Sequence, residues 1–560
     1  MRGLRLLLLI LPTLVGAQAV LSGQERSQAR SMVISTRGIV ATAQTLASQA
    51  GAQILARGGS AVDAAIAANA VLSVVEPMMN GPGGDLFALI WDAKTGRLTG
   101  LNASGWAPAG LSIEYLKKQN LLRMPTSGIH TVTVPGCVAG WEKLHKRFGK
   151  LPWRDLFKPA IYYAQNGFPV TELIQWDWEN TNSPLGDEAR KLYLPNGAAP
   201  KVGEVFRNPQ LGRAFRLIGE LGARAFYDGP VGEALLETSR KLGGTLSQAD
   251  LSEYEPEWVQ PISTNYRGWK VSELPPNGQG IGTLEMLNIL ENFPIGQYDP
   301  MSVEALHLKI EVEKLAFSDL ERYVADPKFA PVPVAGLLSK PYAKQRAALI
   351  SPDKARCDVQ AGTPSEVHGN TTYLSAVDKD GNTISWIQSN SEIFGSGILV
   401  QGMGFLLHDR GAAFTLEADH PNALAPRKRP YHTIIPAFME QGSRHIAFGI
   451  MRGVNQPQAQ MQFVTNIADH KMNIQAALEA PRFTKPTLGG CELLIEARVP
   501  EIIRAQLEQK GHRLEVLGDF SGLMGGGQAV LHDSAAKVNY GASSPRKDGA
   551  AIPEPDPYFK

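Results

Sequence analysis

Among the 560 residues of this chain, few places can carry chemistry. The sequence holds no HExxH, no GxSxG, no phosphate-cradling GxxxxGK[ST] loop and no CxxC pair. Its 11 histidines are scattered without metal-ligand spacing, and His368 and His408, both in polar turns, read as surface groups. No metal site and no cofactor is expected. One junction stands out, His368-Gly369-Asn370-Thr371-Thr372, where a polar segment runs directly into alternating, strand-like sequence. A threonine hydroxyl is a poor nucleophile until a base takes its proton. If the chain were cut between Asn370 and Thr371, the freed α-amine, with a pKa of about 7.7 in model peptides, would sit beside that hydroxyl. One residue would then supply both nucleophile and base. Taken alone, Thr-Thr at a strand start also reads as plain β-propensity.

The elements that must position this junction follow from the pattern. Residues 371–377 and 383–388 alternate on either side of Asp378-Lys379-Asp380-Gly381-Asn382, a hairpin signature with Thr371 at its leading edge. Upstream, Ser60 and Asp63 form a capping box ahead of an alanine-rich run over 61–75. Its small residues on every face predict a helix packed tightly on both sides. Gly81-Pro82-Gly83-Gly84 then turns the chain into a buried strand over 86–91; these glycines read as a structural turn in preference to an anion cradle. Residues 141–342 are mostly helical by period, as over 303–323, with apolar positions at Leu306, Ile310, Leu315 and Leu320. Residues 461–478 predict one further helix. Residues 352–368 are polar and aperiodic, the best linker candidate.

Composition removes several classes of function. Lys and Arg number 55 against 54 Asp and Glu, so no nucleic-acid partner is implied. Residues 1–19 read as an export signal: Arg2 and Arg5 precede an apolar run over 6–15, and Ala17-Gln18-Ala19 offers a small-x-small cleavage pattern. The alternative, a membrane anchor, needs about 20 apolar residues; a mature form without a membrane partner, periplasmic or secreted, is the expectation. Cys137, Cys357 and Cys491 are too few and too scattered for a disulfide framework, so stability is expected from core packing.

The chain resembles the γ-glutamyltranspeptidase family of N-terminal-nucleophile hydrolases. The resemblance runs from about Val33 to Pro545 and rests on Gly58-Gly59-Ser60-Ala61-Val62-Asp63-Ala64-Ala65, Val134-Pro135-Gly136-Cys137-Val138-Ala139-Gly140, Tyr266-Arg267-Gly268 with Pro275-Pro276, Thr371-Thr372 with the turn at 378–382, Phe394-Gly395-Ser396-Gly397, and Arg429-Pro430. It implies an α+β fold, the αββα four-layer sandwich, made as a precursor that cuts itself between Asn370 and Thr371. The products would be a large subunit (20–370) and a small catalytic subunit (371–560), intertwined in one domain as a heterodimer.

Position by position, the resemblance makes Thr371 the nucleophile and Ser389 the second hydroxyl that bonds it. The oxyanion-hole pair falls at Arg452-Gly453, where backbone donors survive a side-chain change although a non-glycine restricts φ and ψ. Recognition of a γ-glutamyl group departs further. Ser104 stands where the family has an Arg, Ala413 where it has an Asp, His432-Thr433 where it has paired serines, and Ser391 where it has an Asn. Arg410, His432 and Arg452 are the replacement cations for a carboxylate, with a surface-turn role the alternative for Arg410. The motifs Asp409-Arg410-Gly411, Pro276-Asn277-Gly278-Gln279-Gly280 and Asn455-Gln456-Pro457-Gln458 resemble a divergent branch with oxamate amidohydrolase and cephalosporin-acylase-like members.

The expected function is therefore an exported, self-processing Thr amidohydrolase or acyltransferase acting on a small-molecule amide through an acyl-enzyme. A true γ-glutamyltransferase and glutathione hydrolase is the alternative. A non-catalytic binding protein of the same fold is more remote, because it would not need Asn370-Thr371, Ser389 and Gly453.

Overall fold

The computed structural model of the chain describes residues 26, 28–180, 184–359, 370–487 and 489–558. The expected export signal at 1–19 lies outside them, as do His368, Gly369 and most of the linker candidate.

Local signals build the frame around Thr371. The side chain of Ser60 accepts from Asp63 N at 3.1 Å while Asp63 bonds back to Ser60 N at 3.0 Å, a reciprocal cap whose loss costs about 1 kcal/mol. The helix it opens, Ala61–Val75, is buried along its whole length, as small residues on every face predict. The hairpin forms from strands Asn370–Val377 and Thr383–Ser391, the second longer than its alternation suggests. Asp378 holds the turn by accepting from Asp380 N and Asn382 N, both at 3.0 Å.

That hairpin lies at the centre of a seven-stranded antiparallel sheet. Its order is Ala550–Pro553, Ile39–Thr42, Asn370–Val377, Thr383–Ser391, Asp85–Asp92, Arg97–Ala103, Glu257–Val259. A second antiparallel sheet runs Val33–Ser35, Val538–Ser543, Gly527–Asp533, Arg444–Ile450, Ala437–Gln441, Trp269–Glu273, Ile262–Tyr266. Alternation assigns its faces. Ile446, Phe448 and Ile450 pack with one helical layer, whereas Ala447 and Phe438 join the core of the first sheet, as period-two strands require. Tyr373 crosses the gap between the sheets: a Cβ on Gly449 would lie 2.3 Å from its ring. Its hydroxyl meets Ser385 Oγ at 2.8 Å, and Ser385 Oγ donates to Phe448 O at 3.3 Å.

Helices Thr45–Ala56 and Ala61–Val75 cover the first sheet, and Gly280–Leu290 and Asn455–Ala468, with Val303–Tyr323 behind them, cover the second. The layers are helix, sheet, sheet, helix: the αββα sandwich.

Three expectations change. Residues 461–478 are not one helix: Asn455–Ala468 stops, Lys471 takes a positive φ of 57°, and Asn473 caps a new helix, Ile474–Glu479, by accepting from Gln475 N and Ala476 N. The largely helical middle also carries Glu257–Val259, Ile262–Tyr266 and Trp269–Glu273 as sheet strands. Finally, Cys357 and Cys491 form a disulfide across 134 positions and leave Cys137 free and buried. Three cysteines make no framework, yet two far apart in sequence meet.

Candidate active site

Thr371 sits where the pairing of its strand is irregular. Asn370 pairs with Ser391 and Thr372 with Gln388, and the register slips between them, so that Ser389 and Asn390 together stand opposite Thr371 in a bulge of the partner strand. Bulges re-aim a side chain and disrupt pairing locally. Here the flanking residues diverge. Thr372 points towards the first helical layer and donates from Oγ1 to Glu76 Oε2 at 2.7 Å, where Lys547 also bonds Glu76 at 3.2 Å and reaches Asp177. Thr371, 1% exposed, faces the other way, and Gln456 Nε2 donates to its Oγ1 at 3.4 Å. Gln456 opens helix Asn455–Ala468, and its Oε1 accepts from Ile435 N at 3.0 Å.

The turn leading into that helix carries Arg452 and Gly453. Both have positive φ, 90° and 44°. The first is costly for a side-chain-bearing residue, so the restriction expected at Arg452 is overcome rather than avoided. Arg452 O and Gly453 O accept from Asn455 N and Gln456 N, and Gly453 O also receives Gln279 Nε2 at 2.9 Å. Among the described residues, neither the Arg452 nor the Gly453 backbone N–H has a hydrogen-bond acceptor. Two N–H groups without an acceptor in one turn are geometrically able to donate to a bound oxygen.

Beside them lies a buried charge network. Asp85, at the start of its strand, accepts from Gly105 N at 3.0 Å and from His432 Nε2 at 2.9 Å, while His408 Nδ1 stands 3.2 Å away, off the line of a hydrogen bond. Burial alone would raise the Asp85 carboxyl; His408 and His432 outweigh it and hold the group far below the ordinary carboxylate range. Arg410 Nε lies 4.0 Å from Asp85 Oδ2, its Nη1 donates to Thr433 Oγ1 at 2.9 Å, and its Nη2 reaches Ser389 Oγ at 3.5 Å. Ser389 Oγ also accepts from Ser391 N at 2.7 Å. Arg410 is 1% exposed, which excludes the surface-turn alternative. Burial lowers its pKa, yet a guanidinium remains charged.

His432 does not supply the expected positive charge. Burial, reinforced by Arg410, pushes its pKa down to about 3 against the pull of Asp85. Its Nδ1 accepts from Ile434 N at 3.3 Å, so it is a neutral imidazole with its proton on Nε2. His408, expected at the surface, is fully buried, and its Nε2 bonds Thr133 O at 3.0 Å.

Ser104 and Ala413 take no part as charges. Ser104 Oγ donates to Asn102 Oδ1 at 2.8 Å and receives Asn277 Nδ2 at 3.3 Å. It is fully buried in a closed amide network. Ala413 ends the short turn Arg410–Ala413, and its carbonyl accepts from Asn422 Nδ2 at 2.6 Å. Asp409 precedes Arg410 in the sequence and accepts from Glu392 N at 3.0 Å, and both carboxyls have raised pKa values. Burial raises Glu392, with the Asp409 charge added, to about 8; burial raises Asp409.

The sequence pattern had not singled out Gln456, Asp85 or Gln279 for any role, nor the Glu76–Lys547 pair. Asp85 and Gln279 lie among glycine-rich turns whose local signal is structural.

A family model described as gamma-glutamyltranspeptidase matches residues 47–554. The chain belongs to the γ-glutamyltranspeptidase family. It is 37% identical over 530 residues to the glutathione hydrolase-like YwrD proenzyme of Bacillus subtilis (strain 168), covering 93% of this chain and 99% of that protein. It is 34% identical over 532 residues to the acylase ACY 1 proenzyme of Pseudomonas sp. (strain SE83), covering 92% and 93%. Among solved structures, cephalosporin acylase from Bacillus halodurans superposes with a TM-score of 0.88 at 40% identity, over 96% of this chain and 99% of that one. γ-Glutamyltranspeptidase-family membership makes this an amide-cleaving hydrolase or transferase with proenzyme relatives.

Proposed function

We propose that this protein is an exported enzyme that cuts itself between Asn370 and Thr371 and then uses Thr371 to cleave amides whose acyl group carries a carboxylate. Cutting begins with attack of Thr371 Oγ on the Asn370 carbonyl carbon. The peptide C–N bond breaks as an ester C–O bond forms, and the nitrogen becomes the Thr371 α-amine. Water then hydrolyses the ester, leaving Asn370 as a carboxylate. In turnover the α-amine takes the hydroxyl proton, Oγ attacks the substrate carbonyl, and the amine product leaves with that proton. Water or an amine then releases the acyl group.

The observation that carries this reading is a buried Thr371 opposite a bulge, bonded by Gln456, which follows three positions after Gly453 and four after Arg452, whose backbone N–H groups have no acceptor among the described residues. Those donors suit the tetrahedral oxyanion, and Ser389 supports the nucleophile's hydroxyl. The Arg410 guanidinium bonds Ser389 and Thr433, and a guanidinium pairs bidentately with a carboxylate. A glutamyl group also needs an anion for its α-ammonium, and Ala413 supplies none. The Cys357–Cys491 disulfide supports export, since such bonds persist in oxidising compartments; no helix among the described residues is long and apolar enough to cross a membrane.

Trapping tests the reading. A slowly deacylating carboxylate-bearing acyl ester should add one acyl mass to the 371–560 fragment, with the label on Thr371. A label on any other residue overturns it.

A further inference from the structure

We propose that the Cys357–Cys491 disulfide is a covalent clasp between the two subunits, holding the tail of the large subunit on the small one after the chain is cut. This rests on the cut at Asn370–Thr371 argued above. The bond spans 134 positions, and Thr371 falls inside that span. Before cutting it joins two points of one chain. Afterwards the same bond joins two chains, about 13 residues ahead of the new carboxyl terminus.

Apart from Ile350 and Val359, which pack against the second core, the tail is held by polar contacts. Beyond helix Lys340–Ala347, residues 351–358 are exposed except Ala355. Their remaining fastenings are polar and come from both sides. Ala355 N donates to Lys510 O at 2.7 Å and Lys510 Nζ to Pro352 O at 2.6 Å, both partners on the 371–560 side. Arg356 N donates to Glu311 Oε2 at 3.0 Å, and Lys314 Nζ to Arg356 O at 3.0 Å, from helix Val303–Tyr323. His307 and His512, one from each side, meet at 2.8 Å, and His307 Nε2 donates to Ser351 O at 2.8 Å. Water competes for such bonds at an exposed segment. Cys491 is a firm anchor: it is buried, it immediately precedes strand Glu492–Glu496, and its carbonyl accepts from Arg513 N at 2.9 Å. Cys357, by contrast, is exposed and reachable by reagents.

Forming the bond removes one proton and one electron from each thiol, taken up by a disulfide-bearing oxidant through thiol–disulfide exchange. Once formed, it makes reassembly of separated subunits intramolecular.

The experiment uses the purified enzyme, alkylated to block exchange and run on denaturing gels with and without reductant. One band of full size without reductant, resolving into fragments of about 350 and about 190 residues with it, is the expected result. Two bands without reductant overturn the clasp. One band in both lanes means the chain was never cut, which overturns the reading beneath it. A Cys357–Cys491 linked peptide, sought by mass spectrometry of the unreduced digest, distinguishes a missing bond from a missing cut. Cys357→Ser should still cut itself but give two bands without reductant. After unfolding in urea, it should recover activity at a rate that rises with protein concentration, whereas wild-type recovery is independent of it; equal concentration dependence contradicts the clasp.

Discussion

Gln456 Nε2 lies 3.4 Å from Thr371 Oγ1, and the other end of the same amide accepts from Ile435 N at 3.0 Å. The first turn of helix Asn455–Ala468 is thereby tied to the hydroxyl proposed as the nucleophile. Gln456→Ala should lower kcat by roughly 10- to 1000-fold, about what one catalytic hydrogen bond contributes, with KM little changed. A variant that moves KM alone would place Gln456 in ground-state binding and count against its role at the hydroxyl.

Arg410 should decide which acyl group is preferred. Arg410→Ala is expected to lower kcat/KM for a carboxylate-bearing acyl amide by roughly 100- to 1000-fold, the scale of losing one partner of a buried ion pair. An apolar acyl amide should change by less than about tenfold. Lysine should rescue poorly, because it keeps the charge but not the fork of donors. Equal losses on both substrates would mean that Arg410 only holds the site together.

Without a charged clamp at Ser104 and Ala413, binding energy from the α-groups of a glutamyl substrate cannot orient the scissile amide. Glutathione and γ-glutamyl-p-nitroanilide should therefore be poor substrates beside glutaryl or oxamate-like amides. A glutathione kcat/KM above about 10⁴ M⁻¹s⁻¹, the ordinary enzyme range, would favour the γ-glutamyltransferase alternative. Ser104→Arg should not restore the clamp. The serine is fully buried and hydrogen-bonded to Asn102 and Asn277, so a guanidinium there overpacks the network and lowers stability by about 1–3 kcal/mol.

Glu392 gives a prediction in pH. Its pKa rises from an ordinary 4.5 to about 8 on folding, so the folded state favours its neutral form. The cost of burying it begins above about 4.5, grows with pH and levels off above about 8. Glu392→Gln should melt close to wild type at pH 5 and progressively above it up to pH 8. A constant difference across that range would show that Glu392 does not titrate there.

Much of the frame was legible because its signals are local. Ser60 and Asp63 announce a helix start within four residues, the turn after Val377 shows in five, and the period of 303–323 matches the helix found. The fold was legible through motif order, and the proposal for Thr371 starts from its junction. What remained hidden depends on residues brought together from afar. Thr371 and Gln456 are 85 positions apart, and Asp85 and His432 are 347 apart. No periodicity links such pairs. His408 looked like a surface group because a polar turn resembles a solvated one until something covers it, and here Asp85 and Thr133 do. The neutrality of His432 follows from burial beside Arg410, which residue type alone does not convey.

The central claim is that Thr371 is both the point of cutting and the nucleophile. The most direct measurement is the reduced size and N-terminal sequence of purified wild type beside Thr371→Ala. Wild type should resolve into fragments of about 350 and about 190 residues, the smaller beginning at Thr371, and Thr371→Ala should stay at full length and be inactive. A Thr371→Ala protein that is cut at the same bond, or a wild-type small fragment beginning at any other residue, would contradict the account.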